Sequence, residues 1–183
     1  MALEHAILVS LSERAASGLD LTRRFDRSIG FFWTASHQQI YRVLGRMEAD
    51  GWVTSEVVEQ QRRPDKKVYA VSDLGRTVLA DWLGAPTPVA PLRSELAIKM
   101  RAASYGDRAA VLDVVRANLA DHHARLAFYK QLERKDYPEP EQHLSDRELD
   151  QYLVLRGGIR VEHGWVEWLT EYLQAHESRQ DKR

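Results

Sequence analysis

The sequence contains no cysteine among its 183 residues, which excludes disulfides, thiolate nucleophiles and cysteine-ligated metal. No apolar run approaches the roughly 18 to 20 residues that a helix needs to cross a bilayer. The opening Met1-Ala2-Leu3-Glu4-His5 lacks the basic start and cleavage site of a secretory signal. The expectation is a cytoplasmic chain with no membrane partner. Charge of one sign is equally scarce: 26 Lys and Arg stand against 27 Asp and Glu, for a net charge of -1. Nucleic-acid-binding domains are often basic overall, so this balance counts mildly against such a role. The distribution weakens the objection. Between Arg23 and Arg76 ten basic residues face seven acids, and phosphate responds to a local basic face rather than to the whole-chain sum.

Hydrophobic periodicity divides the chain in two. Leu3, Ile7, Leu8 and Leu11 share one side of a first helix. A loop around Ala15-Ala16-Ser17-Gly18 follows, and Ser17 caps a second helix with Asp20 in its first turn and Leu21, Phe25 and Ile29 as its apolar stripe. After Phe31-Phe32-Trp33 comes the clearest helix signal. Ser36-His37-Gln38-Gln39 is a capping box, Ile40, Val43, Leu44 and Met47 give the i, i+3, i+4, i+7 pattern, and Gly51 supplies the stop. Trp52–Val58 and Val68–Val71 are β-prone and flank a basic turn, predicting a two-stranded hairpin. Ser72 caps a fourth helix carrying Leu74, Val78, Leu79 and Trp82. Residues 85–91, rich in Pro and Ala, then form a stiff linker between a first domain, 1–84, and a second, 92–183.

The second half reads as wholly helical. Leu112, Val115, Leu119, Leu126 and Tyr129, with His122 in the remaining slot, alternate three and four residues apart, and this is the coiled-coil rhythm. Tyr137-Pro138-Glu139-Pro140 breaks the chain. A second capping box, Ser145 to Glu148, opens a long helix with Tyr152, Leu155, Ile159, Val166, Leu169 and Leu173 in the same rhythm. The expected fold is mainly α with a small β-hairpin: an N-terminal winged helix-turn-helix followed by an antiparallel helical domain that dimerises.

In a winged helix-turn-helix the capped third helix enters the major groove and the wing lies along the backbone. At about 100° per residue, Gln38, Arg42, Gly45 and Ala49 fall opposite the buried side of that helix, with Tyr41 and Arg46 on the flanks. Gln can bridge adenine and Arg can bridge guanine, each through paired hydrogen bonds. The cost of Gly45 in mid-helix, about 1 kcal/mol against Ala, is easier to understand if another backbone approaches it. Thr34, Ser36 and His37 stand at the entry of the helix. Arg62, Arg63, Lys66 and Lys67 cluster on the wing loop with only Asp65 to offset them, and four such cations suit phosphate. The candidate DNA-binding set is therefore Thr34, Ser36, His37, Gln38, Tyr41, Arg42, Arg46, Arg62, Arg63, Lys66 and Lys67.

Several stretches resemble the PadR family of regulators. They are Leu3-Glu4-His5-Ala6-Ile7-Leu8, Ser17-Gly18-Leu19-Asp20-Leu21, Gln39-Ile40-Tyr41-Arg42-Val43-Leu44, Met47-Glu48-Ala49-Asp50-Gly51-Trp52-Val53 and Ser72-Asp73-Leu74-Gly75. Leu92 to Met100, Arg156-Gly157-Gly158-Ile159 and Trp168-Leu169 resemble the longer PadR branch, which ends in a virulence-activator α C-terminal domain. The resemblance implies a homodimeric transcription factor, usually a repressor, on a palindromic operator of double-stranded DNA, with Tyr41 on the DNA backbone. It also implies response to small phenolic or drug-like molecules, for which Trp165, Trp168 and Tyr172 are the candidate effector residues, although the favoured reading of the same three side chains is dimer core.

Other chemistry is not expected. The adjacent His122-His123 point to different helix faces and no zinc-type His spacing occurs, so neither metal nor cofactor is expected. No Ser/His/Asp arrangement points to an enzyme. The competing reading is a winged-helix protein-interaction module that does not bind DNA. The outward polar third-helix face and the basic wing favour DNA.

Overall fold

The computed structural model describes residues 2–25, 35–59, 65–139 and 144–180. Thr34, Arg62 and Arg63, the Phe31-Phe32-Trp33 turn and the end of the second helix beyond Phe25 lie outside the described residues. The chain forms two compact units, Met1–Val89 and Ala90–Arg183.

The first unit runs α1 (Ala2–Glu13), β1 (Ala16–Ser17), α2 (Gly18–Phe25), α3 (His37–Ala49), β2 (Val53–Val58), β3 (Lys66–Val71) and α4 (Asp73–Gly84). Its core is the union of the predicted stripes. Ile7, Leu8, Leu21, Ile40 and Leu44 are wholly buried, and Phe25 and Met47 nearly so. Each such side chain contributes about 1.5 to 3 kcal/mol by leaving water. The expected hairpin is larger than the sequence suggested. It is a three-stranded antiparallel sheet in the order β1-β3-β2, with Ser17 opposite Val68 and Val53 opposite Val71. Residues 16 and 17, read as loop, serve β3 as a short edge strand. The β3 strand also begins earlier than expected, so Lys66 and Lys67 belong to a strand and not to the turn.

Two chain ends fix α3. Ser36 Oγ accepts from the Gln39 amide (3.2 Å) while Gln39 Oε1 accepts from the Ser36 amide (2.8 Å). At the other end Trp52 N–H reaches Met47 O (2.8 Å) and Gly51 N–H reaches Glu48 O (3.1 Å), with Gly51 at φ +74°. That is a Schellman closure, and its left-handed residue is the one a side chain would strain.

The second unit contains α5 (Glu95–Ala102), a 3-10 turn (Ala103–Tyr105), α6 (Arg108–Asp136) and α7 (Asp146–Gln180). Met100, Leu112, Val115, Leu169 and Leu173 form its core. Contacts link 122 to 162 and 133 to 156, so α6 and α7 run antiparallel. His122 occupies its slot in the stripe as a buried polar residue: Nδ1 lies 2.6 Å from Glu162 Oε2, and Arg125 Nε donates to the other carboxylate oxygen at 3.2 Å. A buried pair of this kind would cost stability if half of it were removed, and it disfavours any slipped register of the two helices. Its low-dielectric surroundings and the Glu162 charge push the Tyr129 hydroxyl above its ordinary value. No described helix is long and apolar enough to cross a membrane.

Candidate nucleic-acid interface

The buried side of α3 (Ile40, Val43, Leu44, Met47) leaves Gln38 and Arg42 exposed on the opposite side, with Tyr41 exposed on the flank and His37 exposed in the first turn. Gln38, Tyr41 and Arg42 make no hydrogen bond or ion pair with the described residues. Three polar side chains on one exposed face, next to the helix N-terminus where free amides favour an anion, form a compact surface of donors. Gly45 lies on the same open face with nothing within 4 Å of a Cβ placed there. The backbone approach expected at this glycine is therefore not made by the described protein.

Tyr41 is positioned by a residue that periodicity does not reveal. A Cβ on Gly18 would lie 2.4 Å from Tyr41 Cε1 and 2.7 Å from Cζ. The phenol ring thus rests on the first residue of α2, in the space that the missing side chain leaves. This packing fixes the ring beside the start of α2.

The other candidates are tied to the protein. Ser36 Oγ caps α3. Arg46 is turned away and hydrogen-bonds Glu4, a nearly buried carboxylate of α1, so it joins α1 to α3. Lys66 Nζ lies 2.6 Å from Asp20 Oδ2. Lys67 Nζ lies 2.7 Å from Glu48 Oε2, with the Tyr69 ring centroid 5.3 Å away. Successive strand residues point to opposite faces, so the two lysines leave β3 in opposite directions, one toward α2 and one toward α3. The basic cluster offset only by Asp65 is thus corrected by the geometry: Asp20 and Glu48 neutralise Lys66 and Lys67. The lysine ammoniums hold both carboxyls below the usual carboxylate range, helped by hydroxyl donation from Ser17 and Ser55, and Glu48 in turn raises Lys67. A carboxylate with a lowered value contributes stability above its unfolded value and loses it as pH falls through the lower folded one. The wing pairs therefore stay closed at neutral and mildly acid pH.

In the second unit Trp165 is stacked on His122 at 5.0 Å and 7° and tilted against Trp168 at 5.1 Å. Tyr172 donates its hydroxyl to Met100 O at 2.9 Å. Trp165 and Tyr172 are partly buried against the core, whereas Trp168 is exposed. Among the described residues no three His, Asp or Glu side chains converge as a metal site requires.

Comparison with known proteins gives a consistent picture. Residues 7–81 match the transcriptional regulator PadR-like family and residues 92–177 the virulence activator alpha C-term family. A probable transcriptional regulator of Mycobacterium tuberculosis is 50% identical, over 96% of this chain and 97% of its own length. The negative transcriptional regulator PadR of Bacillus subtilis is 30% identical, over 93% and 95%. Its structure in complex with operator DNA superposes with a TM-score of 0.83 at 29% identity, covering 95% of this chain and 97% of that one. A further structure of it, with p-coumaric acid, gives a TM-score of 0.75 at 29% identity, covering 96% and 98%. The Vibrio cholerae virulence activator AphA superposes with a TM-score of 0.81 at 33% identity, covering 97% and 99%.

Proposed function

The chain belongs to the PadR-like family of transcriptional regulators, and from that premise we propose that it represses transcription as a homodimer bound to a palindromic operator. The observation that carries the reading is the outer face of α3, where Gln38, Tyr41 and Arg42 stand exposed and unpaired beside a capped helix N-terminus. Gln38 and Arg42 read base edges in the major groove, and Tyr41 holds the backbone. On the operator, Lys66 and Lys67 leave their acids for phosphates, and Arg62, Arg63 and Thr34 add further DNA contacts. Selecting bound fragments from genomic DNA should return inverted repeats with half-sites about one helical turn apart, or a multiple of it. A chain that binds no duplex even at low salt would instead be a protein-interaction module.

The dimer reading rests on α7. Val154, Val161 and Trp168 repeat every seven residues and are exposed, beside the buried stripe of Leu155, Glu162 and Leu169. A second apolar seam at heptad spacing on a 35-residue helix suits another copy of the same helix. Changing Val154 and Val161 together to Glu should convert a dimer to monomer by sedimentation and abolish tight operator binding, since a specific interface near the usual 1,600 Å² loses its centre. A variant that still sediments as a dimer places the contact elsewhere.

A small planar aromatic effector is a second element of the reading. It is favoured by the exposed Trp168 ring beside Trp165 and by the p-coumaric acid complex of the B. subtilis relative. p-Coumaric acid should then quench tryptophan emission saturably and release bound duplex. Quenching that persists unchanged in Trp168→Leu would remove this residue from the site.

A further inference from the structure

Resting on the DNA-binding reading, we propose that Asp20 and Glu48 are specificity-determining residues that mask the wing lysines, so that Lys66 and Lys67 engage phosphate only where the third helix is seated in its own sequence. The wing base is stapled on both faces: Lys66 to Asp20 of α2 at 2.6 Å and Lys67 to Glu48 of α3 at 2.7 Å. Each carboxylate also accepts a serine hydroxyl, Asp20 on the oxygen that meets Lys66 and Glu48 on the oxygen that does not meet Lys67. Ser17 Oγ donates to Asp20 at 2.8 Å, and Ser55 Oγ donates to Glu48 at 2.5 Å. The acids are therefore oriented toward the lysines before any DNA arrives.

All four charged side chains are about one-third to one-half exposed. Duplex phosphate can reach the pairs, and solvent keeps them weak enough to exchange. Two consequences follow from counterion release. A lysine neutralised by an internal carboxylate adds little to the salt-dependent, sequence-blind attraction that dominates random binding. A lysine that does move to phosphate leaves a carboxylate facing the polyanion, which penalises the contact unless base contacts by α3 offset it. The acids thus suppress the random-sequence term more than the operator term, which suits a chain of net charge -1 that must still release from bulk DNA.

The test uses the full-length protein and a 30-base-pair duplex of random sequence, titrated across salt concentrations. Glu48→Gln keeps the size of the side chain and an oxygen for Ser55. It should bind random duplex about three- to tenfold tighter at low salt, with the slope of log affinity against log salt steeper by about 0.9 per freed lysine. Lys67→Met should change random-duplex affinity less than about twofold in the unaltered protein and reverse the whole gain in the Glu48→Gln background. Asp20→Asn with Lys66→Met repeats the cycle on the other face and stands independently if either variant of the first pair folds poorly by circular dichroism. The same carboxamide variants should gain less on a selected genomic fragment, so that the ratio of selected to random affinity falls. Carboxamide variants that bind random duplex no tighter, or with an unchanged slope, overturn the masking and make Asp20 and Glu48 simple struts of the wing. Failure of the unaltered protein to bind any duplex would instead remove the DNA-binding reading itself.

Discussion

Arg42→Ala should lose about 1 to 3 kcal/mol of operator affinity and relax the requirement for one base pair in each half-site, typically a guanine. The side chain lies one turn beyond Gln38 on the face of α3 opposite Ile40, Val43, Leu44 and Met47, and no described residue competes for its guanidinium. A bidentate contact is therefore available without breaking an internal pair, unlike Arg46, which is spent on Glu4. Two companion variants separate base reading from backbone holding. Tyr41→Phe should weaken operator and random duplex alike with little change in base preference. Gly18→Ala should do the same without touching a DNA-facing atom, because its methyl group takes the volume the Tyr41 ring occupies, 2.4 Å from Cε1. The ring is half exposed and can swing aside, so stability should fall little while affinity falls with the loss of the positioned hydroxyl. Competition titrations with the selected fragment and a random duplex give all three results. Equal losses on both duplexes for Arg42→Ala would make it a phosphate anchor and shift base reading to Gln38, His37 or the shape of the DNA.

What could be read from the sequence was local. The capping box at Ser36, the stripe from Ile40 to Met47 and the Gly51 stop are all within a few residues of one another. They recur in the structure with the hydrogen bonds they imply. The same holds for Ser17 as the cap of α2 and Ser145 as that of α7. The exposed Gln38-Tyr41-Arg42 face follows from the same periodicity, because fixing the buried side of a helix fixes the other.

Long-range pairings were not legible. Two residues carry no period, so the β1 strand at Ala16–Ser17 could not be told from a loop; its existence depends on the free edge of β3. Asp20 reads as an acid complementing a helix dipole, and nothing within α2 announces a lysine 46 positions later. The wing cations, read as a free cluster, acquire partners only when β3 turns one to each face. Neither Gly18, read as part of a loop, nor Gly45, read as a mid-helix glycine, shows in the sequence what stands beside it. The fold separates them: Gly18 meets Tyr41, while Gly45 meets nothing within 4 Å.

Gly75→Ala should produce the largest loss of stability of any single methyl group added to the first unit. A Cβ at this position would lie 2.0 Å from the carbonyl oxygen of Trp52 and 3.0 Å from its carbonyl carbon. Those atoms are backbone and cannot rotate away as the Tyr41 ring can. The same carbonyl accepts the Ser72 amide at 3.0 Å, Ser72 Oγ donates to Gly51 O at 2.6 Å, and the Gly75 amide donates to Ser72 Oγ at 2.9 Å. The start of α4 is thus joined to the segment that closes α3 and opens β2, and the methyl group must force them apart. Overpacking of a well-filled site costs about 1 to 3 kcal/mol; here broken hydrogen bonds add to it, so about 3 kcal/mol or more is expected. For a unit of this size each kcal/mol moves the melting temperature by about 4 to 8 °C, and the transition should fall by 10 °C or more. Because Trp52 N–H also closes the C-terminus of α3 on Met47, the damage reaches α3, the helix proposed to read the operator. Operator affinity should drop even at temperatures where most of the protein remains folded. Thermal unfolding followed by far-ultraviolet circular dichroism, with a duplex titration at 10 °C, measures both effects. A melting temperature within 2 °C of the unaltered protein would mean that Trp52 and α4 are farther apart than this packing requires, and the link from α4 to α3 would fall with it.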